Sequence, residues 1–212
     1  MFFWLVNNFV NTYCSIKEKE VFLNINPIYG SCVSDFARYL IIYYLGGVYL
    51  DIKAKIKKNL DDIIQRDTLI LSSDNICIEN KYDNFINNKK CIGQWLLIYP
   101  AYHPLIKNVI NEVISNFNDK KKLNEIQNLN IKDNRQKVWL VTGPIAYSKA
   151  INKDLHKYKY IKLPKLGWYS ESYWQLDNFI IYDGTNGKYY NTVKKKHTHY
   201  SQFDKKFSLT IN

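Results

Sequence analysis

Residues 34–58 read SDFARYLIIYYLGGVYLDIKAKIKK, and this stretch decides how the chain is read. Phe36, Tyr39, Leu40 and Tyr43 share one face at helical spacing, which predicts a helix over Ser34–Leu45. Ser34 suits its N-cap, and Gly46-Gly47 is a strong stop. Val48–Ile52 then reads as a strand, with Asp51 near its C-terminal end. In open α/β sheets ligands bind outside the carboxyl ends of strands, so an acid there is a site candidate. Tyr49, Asp51 and Lys53 alternate onto one strand face. Asp35 and Arg38 point from the same side of the helix's first turn. They can pair with each other. They can equally bind a hydroxyl-rich ligand together, the acid accepting and the guanidinium donating. A blander reading stands beside these. Asp35 then only complements the helix dipole with Arg38 as its surface partner, Asp51 merely ends a strand, and Ile52–Lys57 alternates as any half-solvated strand does.

Working outward, the elements alternate. Thr68–Leu71 is a short apolar run. Pro104–Phe117 is a second helix, with Leu105, Val109, Val113 and Phe117 on one stripe and Pro104 at the first helical position. Val138–Val141 reads as a strand, Thr142-Gly143-Pro144 turns into a short helix through Ala150, and Tyr160–Leu163 reads as another strand. Strands alternating with helices imply an α/β domain with a mostly parallel sheet. Two Asn/Lys-rich stretches, Glu79–Lys90 and Asn116–Lys137, read as surface loops or insertions. The tail, residues 183–212, is polar, basic and aromatic. With no linker or internal repeat, residues 1–212 read as a single domain.

Composition narrows the partners. The apolar fraction is 46% with 8 Gly and 5 Pro, which excludes a wholly disordered, collagenous or low-complexity chain. No apolar run is long enough to span a membrane, and Met1–Val10 lacks a basic start and a small-residue cleavage site. The expected compartment is therefore cytoplasmic by default. The net charge of +11 raises nucleic acid as a partner. Against that, Lys outnumbers Arg 27 to 3, and Lys, Ile and Asn make 77 of 212 residues. All three have A/T-rich codons, no nucleic-acid motif is present, and no nucleic-acid partner is expected. Cys14, Cys32, Cys77 and Cys91 form no CxxC pair and read as four free, partly buried thiols.

The signature segment resembles the DXD-motif sugar transferases, a family that includes outer-chain α-1,6-mannosyltransferases, capsular-polysaccharide glycosyltransferases and glucosylating bacterial toxins. The shared pattern is an acid-x-x-Arg helix start, a Gly-Gly turn, an aromatic and Asp-x-Asp. Ser34, Asp35, Arg38, Tyr39, Gly46, Gly47, Tyr49 and Asp51 match it in type and spacing. Ile92-Gly93-Gln94-Trp95, Tyr102-His103-Pro104 and Thr142-Gly143-Pro144 are similar to further stretches of the family, extending the resemblance over Val21–Ala150.

The resemblance implies a GT-A-like, Rossmann-type sheet with flanking helices that binds a UDP- or GDP-hexose and passes the hexose to a glycan or other hydroxyl acceptor. Asp35, Arg38, Tyr49 and Asp51 would hold the donor, and Gln94, matching a family Asn, would hydrogen-bond donor or acceptor. Asp51 would help place Mn²⁺ or Mg²⁺ against the diphosphate. Two departures matter. The third DXD position is Lys53, which repels a divalent ion. Three readings follow: Lys53 supplies the positive charge itself, a metal is held by Asp51 with His199 or Asp204, or the protein binds a sugar nucleotide without efficient transfer. A DIK variant also occurs in capsular-type relatives. Secondly, the family's opening strand has no counterpart before Val21. The sheet is therefore expected to lack its first strand, unless the gene is split or truncated. The alternatives to a transferase are a non-catalytic nucleotide-sugar or glycan-binding relative, and a basic nucleic-acid-binding protein. Lys194-Lys195-Lys196 reads as a solvated tail, or as a run drawing in the diphosphate or touching anionic lipid in peripheral membrane association. Trp139, Trp168 and Trp174 stack on acceptor sugar or pack the core, and Trp95 reads as core.

Overall fold

The computed structural model describes residues 2–52, 54–57, 59–64, 68–73, 91–129, 134–163, 165–170, 173–176 and 180–183. The chain is mixed α/β. It opens with helices α1 (Phe2–Tyr13), α2 (Ile16–Asn24) and α3 (Gly30–Leu45), followed by strands β1 (Gly47–Leu50), β2 (Ala54–Ile56), β3 (Leu69–Ser73), β4 (Ile92–Gly93) and β5 (Leu96–Tyr99). Four helices come next: α4 (Pro104–Asn118), α5 (Lys120–Asn128), α6 (Asn134–Val141) and α7 (Pro144–Asp154). Strands β6 (Tyr160–Leu163), β7 (Lys165–Ser170), β8 (Tyr173–Leu176) and β9 (Ile180–Asp183) close the described chain.

The described strands form three small sheets, two antiparallel and one mixed, instead of the mostly parallel one expected. β1 pairs with β5, β2 with β9, β9 with β8, β8 with β7 and β3 with β4, all antiparallel. Only β3 and β6 run parallel, from Leu69 opposite Tyr160 to Ser72 opposite Leu163. The core lies among α3, α4 and α7, where Phe36, Leu40, Leu105, Ile106, Val109, Tyr147 and Ile151 are buried. The expected stripes of both helices face it: Phe36, Tyr39 and Leu40 on α3, and Leu105, Val109, Val113 and Phe117 on α4.

Several local expectations change. α3 starts a turn before Ser34, because Tyr29, Cys32 and Val33 extend its buried face, and no side chain caps it. Val138–Val141 is helical, not a strand: Thr142 N and Gly143 N donate to Val138 O, closing helical turns that override the run's strand preference. Lys120–Asn128 is a helix, not a loop. Asp119 caps it by accepting from Lys122 N at 3.0 Å, and Leu123 and Ile126, three apart, bury one narrow stripe. The thiols also differ from expectation. Cys14 and Cys32 are free and buried, whereas Cys91 is disulfide-bonded. Glu79–Lys90 lies outside the described residues. Among the described residues no helix is long and apolar enough to cross a membrane.

The return from α3 into β1 needs its glycines. Gly46 has φ 66° and ψ −165°, a region essentially closed to residues with a Cβ, and Gly47 has φ 98°. A Cβ on Gly46 would sit 2.5 Å from Ala101 N and 3.0 Å from Pro100 C, both backbone atoms that cannot swing away. Gly46→Ala is therefore expected to destabilise the fold by about 3 kcal/mol. It should appear as a lower urea midpoint with unchanged slope. A midpoint equal to wild type would mean that the turn tolerates a side chain.

Candidate functional site

β1 and the α3 helix run back to back from the glycine turn, so Asp51, just past β1, returns beside Arg38. The antiparallel pairing of β1 with β5 sets Leu50 opposite Leu96 and lets Asp51 N donate to Trp95 O at 2.9 Å. That register also brings Gln94 against Asp35, the acid of α3. Five sequence candidates, Asp35, Arg38, Tyr49, Asp51 and Gln94, thus meet in one cluster.

Arg38 is its centre. Nη2 lies 3.1 Å from Asp35 Oδ1, and Nη1 donates to Asp51 Oδ1 at 3.0 Å and to Gln94 O at 3.3 Å. Nε donates to Ser34 O at 3.3 Å. The guanidinium carbon stands 4.7 Å from the centre of the Tyr49 ring, a cation–π contact. Tyr49 OH donates to Asp51 Oδ1 at 2.8 Å. Behind Arg38, Gln94 Nε2 donates to Asp35 Oδ1 at 3.0 Å and Thr142 Oγ1 to Asp35 Oδ2 at 3.0 Å. The Tyr39 hydroxyl reaches Gln94 Oε1 and Thr142 O.

Asp35 and Arg38 are both buried, with relative exposures of 3% and 8%. They pair with each other, as one of the two sequence readings has it. Asp51 is more open, its side chain 27% exposed, and among the described residues its Oδ2 accepts no hydrogen bond. Gln94 is committed inward to Asp35 and Tyr39.

Burial pushes the Asp35 carboxyl up to about 6, the Asp51 charge adding to it while Arg38, Thr142 and Gln94 pull back. For Arg38, burial opposes the charge, but Asp35 and Asp51 outweigh it and hold the guanidinium above its ordinary range. Burial likewise raises the Tyr49 hydroxyl above its ordinary range, so it stays a donor to Asp51 near neutral pH. With both acids ionised the cluster carries two negative charges and one positive. The unbalanced charge rests on Asp51, the open group.

The described donors form no closed protein cage for a divalent ion, and Asp51 Oδ2 is the oxygen they leave open to one. Such an ion takes about six oxygen ligands. Asp51 Oδ1 is already spent on Arg38 and Tyr49, and no group of three or more His, Cys, Asp or Glu suited to a metal occurs among the described residues. Lys53, His199 and Asp204 lie outside the described residues, as does the Lys194-Lys195-Lys196 run. Trp95 and Trp139 are half-buried against the two hydrophobic clusters, which favours packing over stacking on sugar.

Part of this cluster falls in a segment that resembles known proteins. Residues 7–70 match the family described as glycosyltransferase sugar-binding region containing DXD motif. The resemblance carried by the signature segment is thereby shown, and the match includes Asp35, Arg38, Tyr49 and Asp51. It covers under a third of the chain. No curated protein matches. A solved structure described as PaToxG Glycosyltransferase aligns over 60% of this chain at 16% identity with a TM-score of 0.41. The alignment takes in 36% of that chain, so this protein spans about a third of it.

Two residues around this cluster escape sequence reasoning. Tyr39 is visible only as a core position of the signature. Thr142 is visible only as the first residue of the Thr142-Gly143-Pro144 turn. Nothing local ties either to Asp35.

Proposed function

We propose that the chain is a glycosyltransferase of GT-A type that binds a UDP- or GDP-hexose and transfers the hexose to a glycan or other hydroxyl acceptor. The observation that carries this reading is Asp51. It sits at the carboxyl end of β1 inside the matched segment, its Oδ1 fixed by Arg38 and Tyr49 and its Oδ2 accepting no hydrogen bond among the described residues. An oriented carboxylate with a free oxygen suits the paired hydroxyls of a ribose or hexose. In the transfer, the bond from the sugar C1 to the diphosphate oxygen breaks, a bond from C1 to the acceptor oxygen forms, and the acceptor proton leaves. Negative charge grows on the departing diphosphate and must be neutralised. Lys53, two residues past Asp51 where the family pattern has its second acid, supplies that charge. No protein nucleophile is assigned.

Titration of the protein with UDP-glucose and GDP-mannose, each with Mn²⁺ and with EDTA, tests the reading. Heat of binding to either donor in EDTA is the expected result. Transfer should survive EDTA, and Lys53→Ala should remove it while the fold persists. Strong inhibition by EDTA would instead assign the charge to a bound metal and overturn the role of Lys53. Binding of donor with no turnover would favour the second reading, a non-catalytic nucleotide-sugar or glycan binder. One feature speaks for that reading: Asp35 and Arg38 spend most of their hydrogen-bonding capacity on internal bonds.

A further inference from the structure

Thr142 is fully buried between α6 and α7, and 107 positions separate it from Asp35. Its backbone is satisfied without its hydroxyl, since its N donates to Val138 O at 3.0 Å and its O accepts from Tyr39 OH at 2.9 Å. The hydroxyl is therefore free of any duty in the turn. It donates to Asp35 Oδ2, with the Cys32 thiol as its other neighbour.

The chemistry of Gln94 fixes the other side. Its amide must face Asp35 with Nε2, because the flipped amide would set Oε1 against a carboxylate oxygen. Among the described residues, every group hydrogen-bonded to Asp35 is then a donor: Arg38 Nη2, Gln94 Nε2 and Thr142 Oγ1. Three donors and no acceptor describe a socket for an ionised carboxylate. Asp35 is too buried to offer a ligand much surface, yet it binds Nη2 of Arg38 while Nη1 is turned onto Asp51.

We propose that Thr142, seated by Tyr39 and acting with Gln94, is a positioning residue of the donor site: it fixes the Asp35 carboxylate and thereby aims the Arg38 guanidinium at Asp51. The link to a donor rests on the proposed function. The link between Thr142 and Arg38 does not.

The test uses nitrogen NMR of the arginine side chains, of which the chain has three, Arg38, Arg66 and Arg135. The Arg38 signals are identified by their loss in Arg38→Lys. A guanidinium held at both ends should show separate, slowly exchanging Nη signals in wild type. In Thr142→Val these should merge, and in Thr142→Ser, which keeps the hydroxyl, they should return. If Thr142→Val does not fold, Gln94→Met, which removes the donor to Oδ1, is read the same way. Wild-type Arg38 signals in a folded Thr142→Val or Gln94→Met would overturn the proposal. In parallel, Thr142→Val should weaken donor affinity at least ~10-fold, the worth of roughly one buried hydrogen bond, with Thr142→Ser restoring it. If no donor binds even to wild type while the NMR responses hold, the proposed function fails and the positioning role stands.

Discussion

Replacing Arg38 by methionine is expected to lower the unfolding free energy by about 3–5 kcal/mol at pH 8, and by much less at pH 4. Methionine has similar length and fills the space, so the loss is one of charge and hydrogen bonds more than of volume. It leaves Asp35 buried without its cation and removes the tie between Asp35 and Asp51. The pH dependence follows from the sign of the Asp35 shift. Its folded pKa of about 6 lies above its ordinary 3.8, so the native state holds the proton more tightly than the unfolded chain. The stability this group contributes is complete below its ordinary pKa and is lost as pH rises through about 6. Arg38 lowers that pKa. Without it the folded value rises further, and the variant keeps losing stability above the point where wild type has levelled. Glu112, held down to about 2 by Lys149 and Lys153 despite its burial, titrates the opposite way, but in both proteins alike. Its contribution cancels in the difference. Urea unfolding at the two pH values measures the effect. Equal losses at both would show that Arg38 serves packing and not the ion pair.

The parts of this site that were legible in the sequence are those held by short-range geometry. The acid-x-x-Arg spacing sets Asp35 and Arg38 on one helix face, and the Gly46-Gly47 stop follows from the positive φ both residues adopt. The two-residue alternation places Tyr49 OH on Asp51. What was illegible depends on distant chain. Gln94 carries a match to a family Asn, which suggests a ligand contact, but the β1–β5 register turns its amide onto Asp35. Thr142 reaches the same acid only because α6 and α7 pack against α3, and those contacts leave no local trace. The misread helices have a common cause. Lys120–Asn128 buries just Leu123 and Ile126, too few apolar positions to show helical periodicity within a polar run. The apolar run at Val138–Val141 is too short for its period to be read, and the bonds to Val138 O decide its form. Alternation of strands and helices suggests parallel pairing, whereas β1 pairs antiparallel with β5 and β3 with β4, strands distant in sequence whose pairing leaves no local signal.

Asp51→Asn is expected to cut transfer at least ~100-fold while leaving the fold intact, the scale found when one group acting on developing charge is removed. Asparagine has the shape of the carboxylate, and its Oδ1 can still accept from Arg38 Nη1 and Tyr49 OH. What disappears is the charge. The cluster falls from a net single negative charge to zero, Oδ2 becomes an amide nitrogen that donates, and, with Oδ1 already taken by Arg38 and Tyr49, no open acceptor is left for the hydroxyls. Asp35 should respond too. The Asp51 charge is one of the causes holding the Asp35 carboxyl up, so its removal lets Asp35 ionise at lower pH and tightens its pair with Arg38. The fold is therefore expected to change by less than ~1 kcal/mol, because the exchanged group is the more exposed of the two acids, keeps its acceptor to Arg38 and leaves the buried pair in place. Measuring turnover together with donor affinity separates the two ways the acid can act. Lost affinity with proportionate loss of turnover places Asp51 on the bound donor's hydroxyls. Retained affinity with lost turnover places its action in the transition state. Near-normal turnover in a folded Asp51→Asn protein would remove Asp51 from the site altogether, and with it the observation on which the transferase reading stands.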